Sequence, residues 1–339
     1  MSVSTGGRAG VGGATGVGGA TGSGGATGVG GAAGEGGAIN CGVLTSHTTR
    51  VPPEMLLVLD RSGSMLNDIT QDCACSGESA ALCADASACK DRWSIVAAAV
   101  RSALTLRPDF YWGLKLFSTP GGDACGVSSQ VEVPVGPTSA AAIPSVIEGT
   151  TPANNTPTAQ AINAATAYLK TLTDQYPKTI LLITDGQPNC APGSTVSGTS
   201  NVAGTIAEIR AAYAAGFRVY VVGIGPSVGN LDDFAIAGGT EHYYSTTSLA
   251  ELDSVIASIS TSVTSCMLTL PTRPPDPNNV GVYFDNKLVA KDDVNGWSFA
   301  NDTQAIVLNG ATCDRLRSSL DATVTVLFGC PGIPLPPIL

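Results

Sequence analysis

The 339 residues carry only 13% charged side chains but 41 glycines, with a formal net charge of −10 and a pI of about 4.6. No block of lysine or arginine is present, so the chain lacks the electrostatic footprint of a nucleic-acid-binding protein. No stretch of sequence is long and apolar enough to form a transmembrane segment. The sequence therefore predicts neither a nucleic-acid partner nor a membrane span.

The first segment, residues 6–38, repeats Gly-x-Gly-Gly-Ala-Thr with a period of six. Its variable position holds valine, serine or glutamate, and these repeats cannot fill a core that would offset their ordering entropy. We expect residues 1–39 to form a disordered, flexible tether, similar to the Gly-rich stalks of bacterial surface proteins. The alternative is a low-complexity segment without a function.

The ten cysteines predict disulfides and an extracytoplasmic, secreted or surface-tethered location. A zinc site is the alternative, but the two histidines, His47 and His242, have no cysteines at ligand spacing. Met1 is followed by no signal-like segment, so we expect the start to be truncated or mis-assigned. The cysteines are Cys41, Cys73, Cys75, Cys83, Cys89, Cys125, Cys190, Cys266, Cys313 and Cys330.

Strands and helices alternate over residues 40–266 and predict a doubly wound α/β domain with a mostly parallel, Rossmann-like sheet and helices on both faces. A Cys-rich insertion, residues 66–90, interrupts the pattern, and we expect two internal disulfides there. Asp91 and Ser248 are predicted helix N-caps. The predicted strands are 55–59, 110–117, 131–135, 178–184, 217–222 and 242–244, and the predicted helices are 92–106, 140–147, about 158–171, 202–215, 231–237 and 248–263.

Residues 267–339 begin with a proline-rich linker and predict a small β-rich C-terminal segment that leans on the larger domain. Cys313 and Cys330 are candidates for a disulfide pair. The predicted strands are 280–284, 287–290, 297–300, 305–308 and 324–328.

Polar residues from three distant segments are expected at one edge of the large sheet. Asp60 and Asp185 each follow an apolar strand, and Thr156 precedes a helix. In doubly wound sheets, ligands bind at the carboxyl ends of the strands. Ser62 and Ser64 follow Asp60 at spacings of two, so the chain collects oxygen ligands for a hard cation there. Taken alone, Asp60 to Ser64 also fits a simple Asp/Ser turn.

Three motifs together resemble the metal-ion-dependent adhesion site of von Willebrand factor type A (VWA) domains. They are Asp60-x-Ser62-x-Ser64 after the first strand, Thr156-Pro-Thr-Ala opening a helix, and Thr-Asp185-Gly after a later strand. The resemblance covers roughly residues 52–265. Many relatives have two glycines before the threonine, where this chain has Asn154 and Asn155, so Thr151 is a minor rival to Thr156.

The resemblance implies a site for Mg²⁺ or Mn²⁺ in which the hydroxyls bind the ion directly and the aspartates often act through water. The open coordination position then takes an acidic side chain of a protein partner. The topology brings the loops that hold Cys125 and Cys190 to the same rim, and we expect these two cysteines to form a disulfide.

Three function hypotheses follow from the sequence. The first is a binding module that makes cation-dependent adhesive contacts. The second is a structural surface domain with an idle metal site, and the third is a metal-dependent hydrolase. Ser62 and Ser64 do not lie in a G-x-S-x-G elbow, and His242 is expected at the amino end of a strand, away from the site, so we expect no enzyme activity.

Overall fold

The computed structural model describes residues 44–47, 49–76, 82–85, 87–121, 123–191, 198–226, 228–229, 231–300, 303–319, 322–329, 332 and 335. The predicted tether, together with Cys41 and Cys330, lies outside the described residues. No helix within these ranges is long and apolar enough to cross a membrane.

The strands of the described residues are β1 (Leu44–His47), β2 (Thr49–Arg50), β3 (Glu54–Asp60), β4 (Tyr111–Phe117), β5 (Val133–Gly136), β6 (Lys178–Thr184), β7 (Arg218–Ile224), β8 (Tyr244–Thr246), β9 (Met267–Thr269), β10 (Val280–Phe284), β11 (Lys287–Val289), β12 (Trp297–Phe299), β13 (Ala305–Leu308) and β14 (Val324–Phe328). The α-helices are α1 (Arg92–Leu106), α2 (Ile143–Glu148), α3 (Thr158–Leu169), α4 (Val202–Ala214), α5 (Asp232–Ala237), α6 (Leu249–Val263) and α7 (Gly310–Arg317).

A six-stranded sheet forms the centre of the fold, with the strand order β5-β4-β3-β6-β7-β8. All neighbours are parallel except β5, which pairs antiparallel with β4 at the edge. This confirms the predicted doubly wound, mostly parallel sheet. Pro134 is tolerated in β5 because an edge strand leaves one side without ladder hydrogen bonds.

Helices cover both faces of this sheet because alternate residues of each strand point to opposite sides. Leu57 packs in a core with residues of α1, α2 and α6, whereas its neighbour Leu56 packs with residues of α3, α4 and α5. Both leucines are almost completely buried. A strand covered on both faces reads as a continuous apolar run, as residues 55–59 do.

The predicted N-caps are confirmed with one difference in detail. The Asp91 carboxylate accepts a hydrogen bond from the Ser94 backbone N–H at 2.8 Å, and Ser248 Oγ accepts one from Glu251 N–H at 3.3 Å. The Glu251 carboxylate reaches back to Thr247 N–H, one residue before the position that a capping box predicts. The strand predicted from His242 begins instead at Tyr244.

The C-terminal strands, together with β1 and β2 from before the central sheet, form two four-stranded sheets with the strand orders β1-β14-β10-β11 and β12-β13-β9-β2. Every pairing in them is antiparallel, and Trp297, Phe284 and Phe328 lie in a third core between them. The five predicted strands are present. The sequence did not predict β1, β2 or β9. The predicted boundary at residue 266, between the larger domain and the C-terminal segment, stays a prediction.

Cys313 pairs with Cys266, with their Cα atoms 5.5 Å apart, so the expected Cys313–Cys330 pair is wrong. The reason is the unpredicted helix α7, which places Cys313 in the same buried core as Cys266. This helix starts at Gly310, whose φ of +49° is unfavourable for other residues. Its apolar face is only Cys313 and Leu316, too little for a periodicity signal.

Replacing both Cys266 and Cys313 by serine should lower the free energy of unfolding by about 2–5 kcal/mol, because the disulfide closes a long loop. Hydrogen exchange followed by mass spectrometry should show faster exchange in β9–β14 and unchanged protection in β3 and β6. The control is the double Cys75→Ser and Cys89→Ser variant, which opens a short loop in the insertion. Unchanged exchange in β9–β14 would contradict this prediction.

Candidate metal site

Asp60 lies at the carboxyl end of the central strand β3 and is completely buried. Both oxygens of its carboxylate accept hydrogen bonds. The Ser62 backbone N–H donates to Oδ1 at 2.8 Å, and the hydroxyl of Thr184, the last residue of the neighbouring strand β6, donates to Oδ2 at 2.5 Å. These two bonds fix the orientation of the carboxylate.

The two serines connect this strand end to the next one. Residues 63–66 form one turn of 3₁₀ helix, and this turn brings Ser62 Oγ within 3.1 Å of Ser64 Oγ. The Ser64 hydroxyl donates to Asp185 Oδ1 at 2.8 Å. Asp185 directly follows β6. Asp60 and Asp185, 125 positions apart in the chain, therefore lie at the same edge of the sheet.

Thr156 lies in the loop before α3 and is 4% exposed. Its backbone N–H donates to Asn189 Oδ1 at 2.8 Å, and Asn189 N–H donates back to the Thr156 carbonyl at 3.3 Å. Thr156 lines the same cavity, of about 470 Å³, as Ser62 and Ser64. The structure therefore brings all five predicted residues to one rim.

Thr151, the rival to Thr156, is exposed and is not among the residues that line this cavity. Its carbonyl accepts a hydrogen bond from Arg61 Nη2 at 3.0 Å. Arg61 thus holds the start of the loop that carries Thr156, and it is itself buried.

Asn154 explains how the loop forms without the two glycines. Its φ of +71° lies in the left-handed region, which asparagine adopts more readily than most other residues with a side chain. The Asn154 carbonyl accepts from Gly63 N–H at 3.1 Å, and its Nδ2 donates to the Thr119 carbonyl at 3.1 Å. The asparagine therefore gives the backbone conformation for which glycine is ordinarily used.

Arg92 is a site residue that the sequence reasoning missed. It is the first residue of α1 and is 3% exposed. Its Nη1 donates to Asp185 Oδ2 at 2.8 Å, and its Nη2 donates to Asp72 Oδ1 at 2.6 Å. The only sequence signal was its position directly after an N-cap, at the helix end that faces the carboxyl edge of the sheet.

Burial raises the pKa of Asp60 to about 7, and the negative charge of Asp185 adds to this effect. Burial also raises the pKa of Asp185, although the Arg92 guanidinium opposes the rise. Two neighbouring buried carboxylates are costly when both are ionised, because they lose hydration and their charges repel each other. A bound divalent cation would relieve this repulsion.

Disulfides hold the loops on both sides of the site. Cys73–Cys83 and Cys75–Cys89 lie within the insertion, as predicted. The predicted Cys125–Cys190 bridge is also confirmed, with a Cα–Cα distance of 5.6 Å. Three sulfur atoms of the insertion cluster closely enough to suggest a metal site, but each belongs to a disulfide and is not a thiolate ligand.

The donor set fits a hard cation. Ser64 directs its proton to Asp185, so Ser62 is the donor in the Ser62–Ser64 hydrogen bond and one lone pair of Ser64 Oγ stays available for an ion. Within the described residues, Thr156 Oγ1 makes no hydrogen bond. The cavity that these residues share is lined only by uncharged residues, and the two buried carboxylates behind it would supply charge to balance a cation. Oxygen ligands of this kind suit Mg²⁺.

Two family models of the von Willebrand factor type A domain match the sequence, one over residues 55–187 and the other over residues 129–258. The chain is therefore a VWA-domain protein. No curated protein sequence matches it.

Three solved structures are among those that match this chain. The open conformation of the pilus adhesin SpaC from Lactobacillus rhamnosus GG is 16% identical with a TM-score of 0.49, and the match covers 84% of this chain and 40% of the adhesin. BatB from Bacteroides thetaiotaomicron is 17% identical with a TM-score of 0.45, covering 63% of this chain and 100% of BatB. Manganese-loaded TRAP from Plasmodium vivax is 16% identical with a TM-score of 0.43, covering 63% of this chain and 76% of TRAP. The chain thus spans 40% of the length of the pilus adhesin.

In EDTA, the stability of the folded chain should fall as the pH rises from about 4 to about 7. The pKa of Asp60 is raised from an ordinary value of 3.8 to about 7, so the folded state binds an extra proton over this range and loses that stabilisation as the proton leaves. The loss should be about 4 kcal/mol or less. Urea unfolding at several pH values measures it.

Asp60→Asn should flatten this pH dependence and raise the stability at pH 7 in EDTA, because the amide carries no charge to bury. The matched control is Asp293→Asn, at an exposed aspartate of the C-terminal segment, which should leave the slope unchanged. An equal slope in wild type and Asp60→Asn would show that Asp60 is not the titrating group.

Proposed function

We propose that this chain is an extracytoplasmic binding module that makes divalent-cation-dependent contacts with a protein partner. The proposed ion is Mg²⁺ or Mn²⁺. The observation that carries the proposal is a cavity lined by three hydroxyl-bearing residues, with two buried carboxylates hydrogen-bonded to the serines behind it. The proposed ligand set is Asp60, Ser62, Ser64, Thr156 and Asp185.

The two kinds of ligand have different roles in this proposal. Both oxygens of Asp60 and both oxygens of Asp185 already accept hydrogen bonds. The carboxylates are therefore suited to balance the charge of the ion and to act through water. Ser62, Ser64 and Thr156 line the cavity, and their hydroxyls are suited to direct contact.

The partner is proposed to supply an acidic side chain. A bound Mg²⁺ would offer an open coordination position for a carboxylate, the ligand that hard cations prefer. The residues that line the cavity carry no charge, so they neither repel an incoming carboxylate nor neutralise it. No nucleic-acid role is proposed, because the chain has a net charge of −10.

The extracytoplasmic location is supported by the four disulfides of the described residues. Disulfides persist in oxidising compartments and are rare in the cytosol. In the same proposal, the Gly-rich residues 1–39 tether the domain at the cell surface.

The hydrolase alternative has less support. VWA domains are generally interaction modules, and a hydrolytic site needs a positioned general base beside a metal-bound water. The cavity walls consist of serine, asparagine, threonine, glycine, alanine, leucine and proline side chains. His242 is 78% exposed, lies 3.5 Å from Asp232 and is not among the residues that line the cavity, so it is not placed as a base for a metal-bound water. The remaining alternative, a structural domain whose metal site is idle, predicts no change in stability when a cation is added.

Millimolar Mg²⁺ or Mn²⁺ should raise the thermal unfolding midpoint of the purified chain relative to EDTA. A ligand present at a hundred times its dissociation constant adds about 2.7 kcal/mol to the stability. Thr156→Val removes one hydroxyl at nearly constant volume and should abolish most of this increase, as should Asp60→Ala.

The matched control is Thr151→Val, which makes the same chemical change five residues earlier in the same loop. It should respond to the cation as wild type does. If wild type shows no response to either cation, the site is idle and the proposal fails. If Thr151→Val, rather than Thr156→Val, loses the response, the assigned ligand is wrong.

A further inference from the structure

We infer that Asp72, in the Cys-rich insertion, is a positioning residue for the cation site and acts on it through Arg92. The inference rests on the function proposed above. It assigns a role to the insertion, which lies outside the three motifs of the site.

The contacts form a continuous chain of charges. Asp72 Oδ1 accepts from Arg92 Nη2 at 2.6 Å, and Asp185 Oδ2 accepts from Arg92 Nη1 at 2.8 Å. The other oxygen of Asp185 accepts from Ser64. The Arg92 and Asp185 side chains are 3% and 0% exposed, whereas the Asp72 side chain is 47% exposed. Asp72 thus lies on the solvent-facing side of this chain of ion pairs.

The insertion fixes the position of Asp72. Cys73, the next residue, is bonded to Cys83, and the carboxylate of Asp68 accepts from the backbone N–H groups of Thr70 and Gln71. The Asp68 carbonyl also accepts from Arg92 Nε at 3.3 Å. The guanidinium is therefore held on one side by the insertion and on the other by Asp185.

This arrangement matters for a cation because the guanidinium is positive. An ion bound beside Asp185 is repelled by Arg92, and at low dielectric that repulsion is large. Asp72 is the second carboxylate on the guanidinium and offsets its charge. It also fixes the plane of the guanidinium, which presents its N–H groups in a rigid fork, and so fixes the direction of the Asp185 carboxylate. Residues that orient metal ligands in this way strongly affect affinity.

The test is the affinity of the purified chain for Mn²⁺, measured by isothermal titration calorimetry. Asp72→Asn should weaken Mn²⁺ binding about tenfold and leave the unfolding midpoint in EDTA close to that of wild type, because the side chain is half exposed. Arg92→Lys keeps the charge but cannot bridge two carboxylates, so it should weaken binding too. Adding Asp72→Asn to Arg92→Lys should cause little further loss of Mn²⁺ affinity, because Asp72 acts through Arg92.

The matched control is Asp85→Asn, which removes the same charge from the same insertion. Asp85 is exposed, and its carboxylate accepts hydrogen bonds only from the neighbouring residues Ser87 and Ala88 within the described residues. This variant should bind Mn²⁺ as wild type does. Equal losses in Asp72→Asn and Asp85→Asn would overturn the inference, because they would indicate a through-space charge effect. Wild-type affinity in Asp72→Asn would also overturn it and leave the proposed function intact. If wild type binds no Mn²⁺, the proposed function fails and the inference with it.

Discussion

The buried carboxylate of Asp60 is the constraint on which the site depends. A carboxylate at the end of a strand covered on both faces loses its hydration and must be compensated by neighbouring groups. Thr184 and the Ser62 backbone N–H supply two hydrogen bonds. The second carboxylate, Asp185, adds charge to the same volume, and Arg92 compensates part of it. These contacts at the rim compensate the two buried carboxylates.

The central sheet could be predicted from the sequence because its signals are local. Residues 55–59 are a continuous apolar run, and Asp91 is a polar N-cap directly before a helix. The Cys125–Cys190 bridge could also be predicted, since parallel strands place their following loops at one edge. The five site residues were identified by motif and topology together, and their role as ligands stays a prediction.

The features that were missed depend on distant parts of the chain. Arg92 looks like an ordinary helical residue in the sequence, and only its burial between two carboxylates distinguishes it. The strands β1 and β2 are short, and they pair with β14 and β9, more than 200 residues later. Helix α7 has too few apolar positions to show a period, so the partner of Cys313 could not be deduced. Contacts of this kind leave no local pattern.

The pairing of β1 with β14 determines how the domain would respond to force. The chain passes from residues 1–40 into β1, which is held to β14 by four residue pairs, and then into β2, which is held to β9. Tension applied through the preceding segment therefore loads these two short ladders before it reaches β3. The small sheets would open first, and Asp60, at the far end of β3, would keep its geometry while the load is being absorbed.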